Sequence, residues 1–140
     1  MTNSLSLTVV SQEKQLIATK TDSITVPTTQ GEITILPGHI PLFATLVAGE
    51  LRFQEDKTER FIVISPGFLN IAPNNEVTIM VDSAVNDRDI SLEKAEAAIK
   101  QAKESITSAT DRRELLLAEA SLRRALLEVQ VAQKTRRSKI

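Results

Sequence analysis

The chain has 140 residues with 17 basic and 18 acidic side chains, a formal net charge of −1. That length allows one domain, or one small domain with an appendage, and the charge balance argues against coating nucleic acid or anionic lipid over the whole surface. The absence of cysteine excludes disulfides, thiolate metal sites and a cysteine nucleophile, and the absence of Trp and Tyr leaves an aliphatic core with four Phe.

The first half predicts short strands. Leu5, Leu7 and Val9 alternate with Ser6 and Thr8, and Ile24 and Val26 with Ser23 and Thr25. Ile33 and Ile35 alternate with Glu32 and Thr34, and Leu51 and Phe53 flank Arg52. The inward pairs Phe61/Val63 and Leu69/Ile71 follow, and Val77, Ile79 and Val81 close the series. Period-2 runs between turn residues, repeated about every ten residues, predict an antiparallel sandwich or barrel. The N-terminus has no basic leader region. The longest uncharged stretch, Ile33 to Gly49, is interrupted by Pro37, Gly38, His39 and Pro41, and falls short of the roughly 20 residues of a membrane-spanning helix.

Every Gly, Pro and Phe lies in the first 73 residues, so the architecture changes near Asp87. The expected division is 1–87 and 88–140, and the overall class is α+β: an antiparallel β-sandwich followed by an antiparallel two-helix hairpin. Ser91 is the expected N-cap of the first helix, whose apolar stripe is Leu92, Ala95, Ile99, Ala102 and Ile106. Thr107 to Thr110 form a polar break that can act as a hinge. Asp111 and Glu114 have capping-box spacing at the start of the second helix. Its stripe is Leu115, Ala118, Leu122, Ala125, Val129 and Ala132, widened by Leu116, Leu126, Leu127 and Val131. The alanine-rich seam buries little apolar area, which leaves two readings open: a hairpin that opens at little cost, and a stable hairpin that never opens. The arm from Asp111 to about Arg136 would extend roughly 39 Å.

Charge divides as well. Residues 1–88 carry a net −4 and residues 89–140 a net +3. Arg112, Arg113, Arg123, Arg124, Lys134, Arg136, Arg137 and Lys139 form a basic surface suited to an acidic protein partner. This half has no aromatic residue on which bases could stack, so nucleic acid is not an expected partner. No phosphate-binding glycine loop is present, and the single histidine rules out a paired-His metal site. His39 sits in a rigid Pro-Gly-His-Ile-Pro turn and lacks the nucleophile elbow expected of a catalytic base.

The segment Gly31–Leu42, reading GEITILPGHIPL, resembles the G-E-x-x-I-x-P-G-H-x-P-L segment of the epsilon subunit of bacterial and chloroplast F-type ATP synthases. Gly49, in Ala48-Gly49-Glu50-Leu51-Arg52, matches the turn that follows it. Ser65–Ile71 is similar to the family's G-G-x-x-E/N-V stretch, with Pro66 where Gly is usual, and Val77–Ala84 matches V-T-x-L-A-D-x-A. The resemblance covers nearly the whole chain. It implies a sandwich of about ten strands and a helical hairpin in a non-catalytic rotor subunit of the central stalk. The implied partners are the gamma subunit, the c-ring, and the alpha and beta subunits. The sandwich would bind gamma and sit on the c-ring, with Glu32 and His39 as the c-ring contacts. The hairpin would rise along gamma and inhibit ATP hydrolysis, with Arg112, Arg113, Arg123 and Arg124 facing acidic groups. The implied location is peripheral, on the cytoplasmic side of a bacterial plasma membrane or the stromal side of a thylakoid, held there only through the complex.

Some family members bind ATP through an I-D-x-x-R-A motif. Ile90 and Ala95 match it here, but Ser91 replaces the Asp and Lys94 the Arg; on the second helix Arg124 fits while Glu128 occupies the other arginine position. These departures weigh against ATP binding, and no cofactor is expected. Two other readings remain open from the residues alone: a β-sandwich adaptor with a coiled-coil arm in another assembly, and an enzyme centred on His39.

Overall fold

The computed structural model describes residues 4–138. The chain divides into two compact units, residues 1–85 and 86–140.

The first unit contains β1 (Leu5–Val10), β2 (Gln15–Thr21), β3 (Ile24–Thr28), β4 (Gly31–Ile35), β5 (Leu42–Leu46), β6 (Gly49–Glu55), β7 (Thr58–Ile64), β8 (Gly67–Ala72) and β9 (Glu76–Val81); β10 (Ala84–Asn86) reaches its end. All ten belong to one hydrogen-bonded path, β10-β7-β6-β3-β5-β8-β9-β1-β2, with β4 attached to β3. The sheet folds over itself as a sandwich close to a barrel. Most pairs are antiparallel, but β1 lies parallel to β9, in register from Ser6↔Glu76 to Val10↔Met80. Turn chemistry sets the hairpins. Asp56 and Lys57, both at positive φ, form the two-residue connection between Glu55 and Thr58, the backbone twist that tight hairpins favour.

The expected alternation holds on most strands. Leu5, Leu7, Val9, Ile24, Val26, Ile35, Leu51, Phe53, Leu69, Ile71, Val77, Ile79 and Val81 all enter one core cluster. β7 departs from it. Its core residues are Ile62 and Ile64, because Ile62 lies opposite Leu51 and therefore shares its face. Phe61 and Val63 are buried on the other face of β7 and do not join that cluster. Five consecutive buried residues, Arg60 to Ile64, erase the period-2 signal, so composition alone could not fix the parity. β2, β5 and β10 also lack a clear alternation, since β2 is largely half-buried and β5 exposes both Leu42 and Phe43. Glu55 accepts from Thr19 Oγ1 at 3.0 Å and from Arg60 Nη1 at 3.3 Å.

The second unit opens with a short 3-10 turn, Asp87–Asp89, and continues as α1 (Leu92–Ser108) and α2 (Arg112–Ser138) in a hairpin. Ser91 Oγ accepts from Lys94 N at 3.3 Å, the expected cap. Asp111 caps α2 by accepting from Glu114 N at 2.8 Å. The return arm of this box lands one residue early: Glu114 Oε2 accepts from both the backbone N and the Oγ1 of Thr110, each at 3.1 Å. Thr107 and Ser108 belong to the last turn of α1, where their hydroxyls donate back to Lys103 and Ser105 carbonyls. The break is therefore Ala109–Asp111, shorter than the expected Thr107–Thr110. The seam buries Ala95, Ala102, Ala118, Ala125 and Ala132. Val131 is buried too, but Leu116 and Leu126 are 51% and 48% exposed, so they do not widen the buried face.

Gly67 starts β8 directly against β9. A Cβ at this position would press on the Met80 carbonyl oxygen and lie 2.8 Å from Val81 Cγ1. Because backbone cannot swing aside as a side-chain end can, Gly67→Ala is expected to destabilise the sandwich by about 3 kcal/mol. Gly38→Ala meets no neighbouring atom within 4 Å but must adopt φ +88°, so it should cost about 1 kcal/mol. Chemical denaturation of the two variants checks the ranking.

Candidate functional site

The sequence-derived candidates fall on the sandwich, around one of its ends, and on the helices; the outer face of β5 and β8 carries a further surface that the sequence reading did not single out.

At the sandwich end, Leu36–His39 forms a turn closed by His39 N donating to the Leu36 carbonyl at 3.1 Å. Pro37 supplies the fixed φ of its first central position and Gly38, at φ +88°, the left-handed second position, the requirements of a type II turn. His39 Nδ1 donates to the Ile40 carbonyl at 2.7 Å, which fixes that tautomer's proton and leaves Nε2 for a partner. Glu32 lies on β4 and is not bonded to this turn. Its Oε1 accepts from Arg52 Nη2 at 2.7 Å, across β3, whose neighbours are β4 and β6. Arg52 also lies 3.9 Å from Glu50. Both partners of the Arg52–Glu32 pair are substantially exposed, so it orients Glu32 more than it stabilises the fold. Neither Arg52 nor Asn75, whose Oδ1 accepts from Gly38 N at 2.7 Å, was among the sequence-derived candidates. Both act through sheet order, which the strand patterns do not reveal.

The outer face of β5 and β8 carries the two Phe residues that are not buried. Phe43 and Phe68 are 62% and 47% exposed, and their rings stack with centroids 5.7 Å apart. Phe68 pairs with Met80 across β8 and β9, and Met80 with Val10 across β9 and β1. An open cleft of about 400 Å³, lined by Val10, Pro66, Gly67, Phe68, Met80 and Asp82 among others, adjoins this row. Ile40, 73% exposed, and Leu36, 55% exposed, flank the turn. The aromatic pair and the cleft beside it make this face a candidate interaction surface. The sequence signal was visible for Phe68, which sits out of phase with Leu69 and Ile71, but not for Phe43, whose strand lacks a clear alternation.

On the helices, Arg112, Arg113, Arg123 and Arg124 are all exposed. Positions eleven apart share a helix face, so Arg112 and Arg123 lie on one stripe with Leu116, and Arg113 and Arg124 on the next with Leu117. Leu116 and Leu117 are 51% and 61% exposed, which gives a mixed basic and apolar surface. The side chains of Arg136, Arg137 and Lys139 lie outside the described residues.

The nucleotide candidates lie on the helical unit. Ala95 is buried in the helical seam and Ile90 is half-buried. Ser91 Oγ is engaged in capping. Arg124 Nε lies 3.6 Å from Glu128 Oε1, an ion pair one helix turn apart. No cluster of metal-ligating side chains occurs among the described residues, and no described helix is long and apolar enough to cross a membrane.

Residues 4–87 match the family described as ATP synthase, Delta/Epsilon chain, beta-sandwich domain. Over 135 residues the chain is 33% identical to the ATP synthase epsilon chain of Syntrophobacter fumaroxidans, covering 96% of this chain and all of that one. It is 36% identical over 134 residues to the ATP synthase epsilon chain of Dehalococcoides mccartyi, covering 95% of each. Among solved structures, it is 25% identical, with a TM-score of 0.76, to a chain of the Euglena gracilis mitochondrial ATP synthase OSCP/F1/c-ring complex, over 95% of this chain and 82% of that one. A chain of the Tetrahymena thermophila mitochondrial ATP synthase central stalk and c-ring shares the fold at 11% identity and a TM-score of 0.53. With both the sandwich and the helices matched, this chain belongs to the epsilon-chain family of F-type ATP synthases.

Proposed function

We propose that this chain is the non-catalytic epsilon rotor subunit of a proton-translocating F-type ATP synthase. In this reading it couples c-ring rotation to the catalytic head and restrains ATP hydrolysis with its helices. The observation that carries the reading is the likeness over 95% of the chain, helices included, to a chain of an F1/c-ring complex.

The surfaces divide the partners by chemistry. The apolar row of Phe43, Phe68, Met80 and Val10 suits a partner that stays bound, and gamma is that partner. The turn with His39, together with Glu32, suits the polar loops of the c-ring. The stripes of Arg112, Leu116 and Arg123 and of Arg113, Leu117 and Arg124 suit an acidic, partly apolar surface of the alpha and beta subunits. The three-residue break at Ala109–Asp111 and the alanine seam let α2 separate from α1 at small cost. Alanine contacts bury far less area than leucine contacts, at about 25 cal/mol per Å². Once extended, α2 is 27 residues long, about 40 Å. The subunit sits peripherally, on the side of the membrane where the catalytic head lies, through these partners.

A chain ending at Arg88 should fold, because the sandwich has its own core, and should bind gamma. When it is reconstituted with the catalytic head, ATP hydrolysis should run faster than with the full chain. Equal rates from two gamma-bound forms would remove the inhibitory role, and loss of gamma binding by the shorter form would make the helices a brace. Arg123→Glu with Arg124→Glu should relieve part of the inhibition, and more at low salt than at high salt, because screening already weakens the wild-type pairs in high salt. Calorimetry with ATP should give a dissociation constant weaker than about 1 mM, near −4 kcal/mol. Micromolar binding would show that the Arg124–Glu128 pair yields to phosphate.

A further inference from the structure

We propose that Asn75 is a positioning residue for the His39 contact: its side chain tethers the Pro37–Gly38 turn to the sheet and so fixes where His39 meets its partner. The inference rests on the proposed c-ring contact and adds to it the group that holds the contact in place.

A type II turn satisfies its own closing hydrogen bond but leaves the N–H of its second central residue without a partner inside the turn. Here that residue is Gly38. Its N–H donates to Asn75 Oδ1 at 2.7 Å, across 37 positions of sequence. Asn75 is itself fixed. It lies in the connection between β8 and β9 at φ +63°, after Asn74 at φ +68°, a conformation asparagine tolerates better than other non-glycine residues. Its carbonyl accepts from Ser6 N at 2.8 Å, at the start of the parallel β1–β9 pair. One residue thus joins three segments: its backbone oxygen is anchored to β1, and its carboxamide reaches the loop between β4 and β5. The loop is otherwise exposed over Leu36, Gly38, Ile40 and Pro41 and has little packing of its own to define its position. Glu32 is oriented separately, by Arg52.

The two contacts therefore have different supports, and this makes the proposal testable by non-additivity. The assay measures the affinity of catalytic-head complexes containing the full-length chain for membrane vesicles that carry the c-ring and have been stripped of the head. Asn75→Gly keeps the left-handed backbone and removes the acceptor, so it should weaken binding about threefold to tenfold, the worth of one hydrogen bond. Asn75→Asp keeps an acceptor oxygen and should restore most of the affinity. Exchange of the Gly38 amide should speed up in Asn75→Gly and not in Asn75→Asp. In a His39→Ala background, Asn75→Gly should add nothing further; in a Glu32→Ala background it should add its full effect. If His39→Ala weakens binding but Asn75→Gly does not, or if the two add fully, the positioning role is wrong while the contact stands. If His39→Ala leaves affinity unchanged, the contact itself is wrong and the role of Asn75 falls with it.

Discussion

The structure depends on one constraint: ten short strands share one hydrogen-bonded path around one aliphatic core. Side chains alternate along a strand, so each inward residue commits its neighbours to the outside. Ile24 and Val26 inside place Thr25 outside, and Leu69 and Ile71 inside place Phe68 and Asn70 outside. The functional surfaces are consequences of that commitment. Phe43 and Phe68 are exposed because Ala44, Leu46 and Leu69 face the core. Glu32 and Arg52 reach each other because β3 lies between their strands.

The path also explains why the loops at one end can be held with few bonds. β1 enters parallel to β9, and this brings Ser6 to the connection between β8 and β9. That connection lies close enough to the turn between β4 and β5 for a side chain as short as asparagine to bridge them. A loop tethered to a rigid sheet at its tip can present a histidine in one place without being buried.

The helical unit follows a different logic. Its caps are well made, with Ser91, Asp111 and Glu114 each bonded to backbone donors. Each helix is thereby defined at its start, while the seam between the helices is lined mainly by alanine. Well-capped helices joined along an alanine-lined seam fit the proposed separation of α2 from α1. The exposed Leu116, Leu117 and Leu126 lie near the arginines of α2 and give it a mixed apolar and basic surface.

Much of this was determined by the sequence itself. The period-2 runs located most strands, the loss of Gly and Pro located the change to helices, and Ser91 and Asp111 announced their caps, because each signal is a local preference of backbone or side chain. The segment Gly31–Leu42 carried the family resemblance for the same reason: Pro37 and Gly38 encode a turn type in adjacent positions. Tertiary structure decided what depends on neighbours distant in the chain. The parity of β7 needed the register with β6, since a strand buried on both faces shows no alternation. The end of α1 needed the hydroxyl back-bonds of Thr107 and Ser108, which let polar residues remain helical. The pairing of Arg52 with Glu32 and of Asn75 with Gly38 needed the order of strands in the sheet, because a hydrogen bond spanning 20 or 37 positions leaves no mark on local sequence pattern.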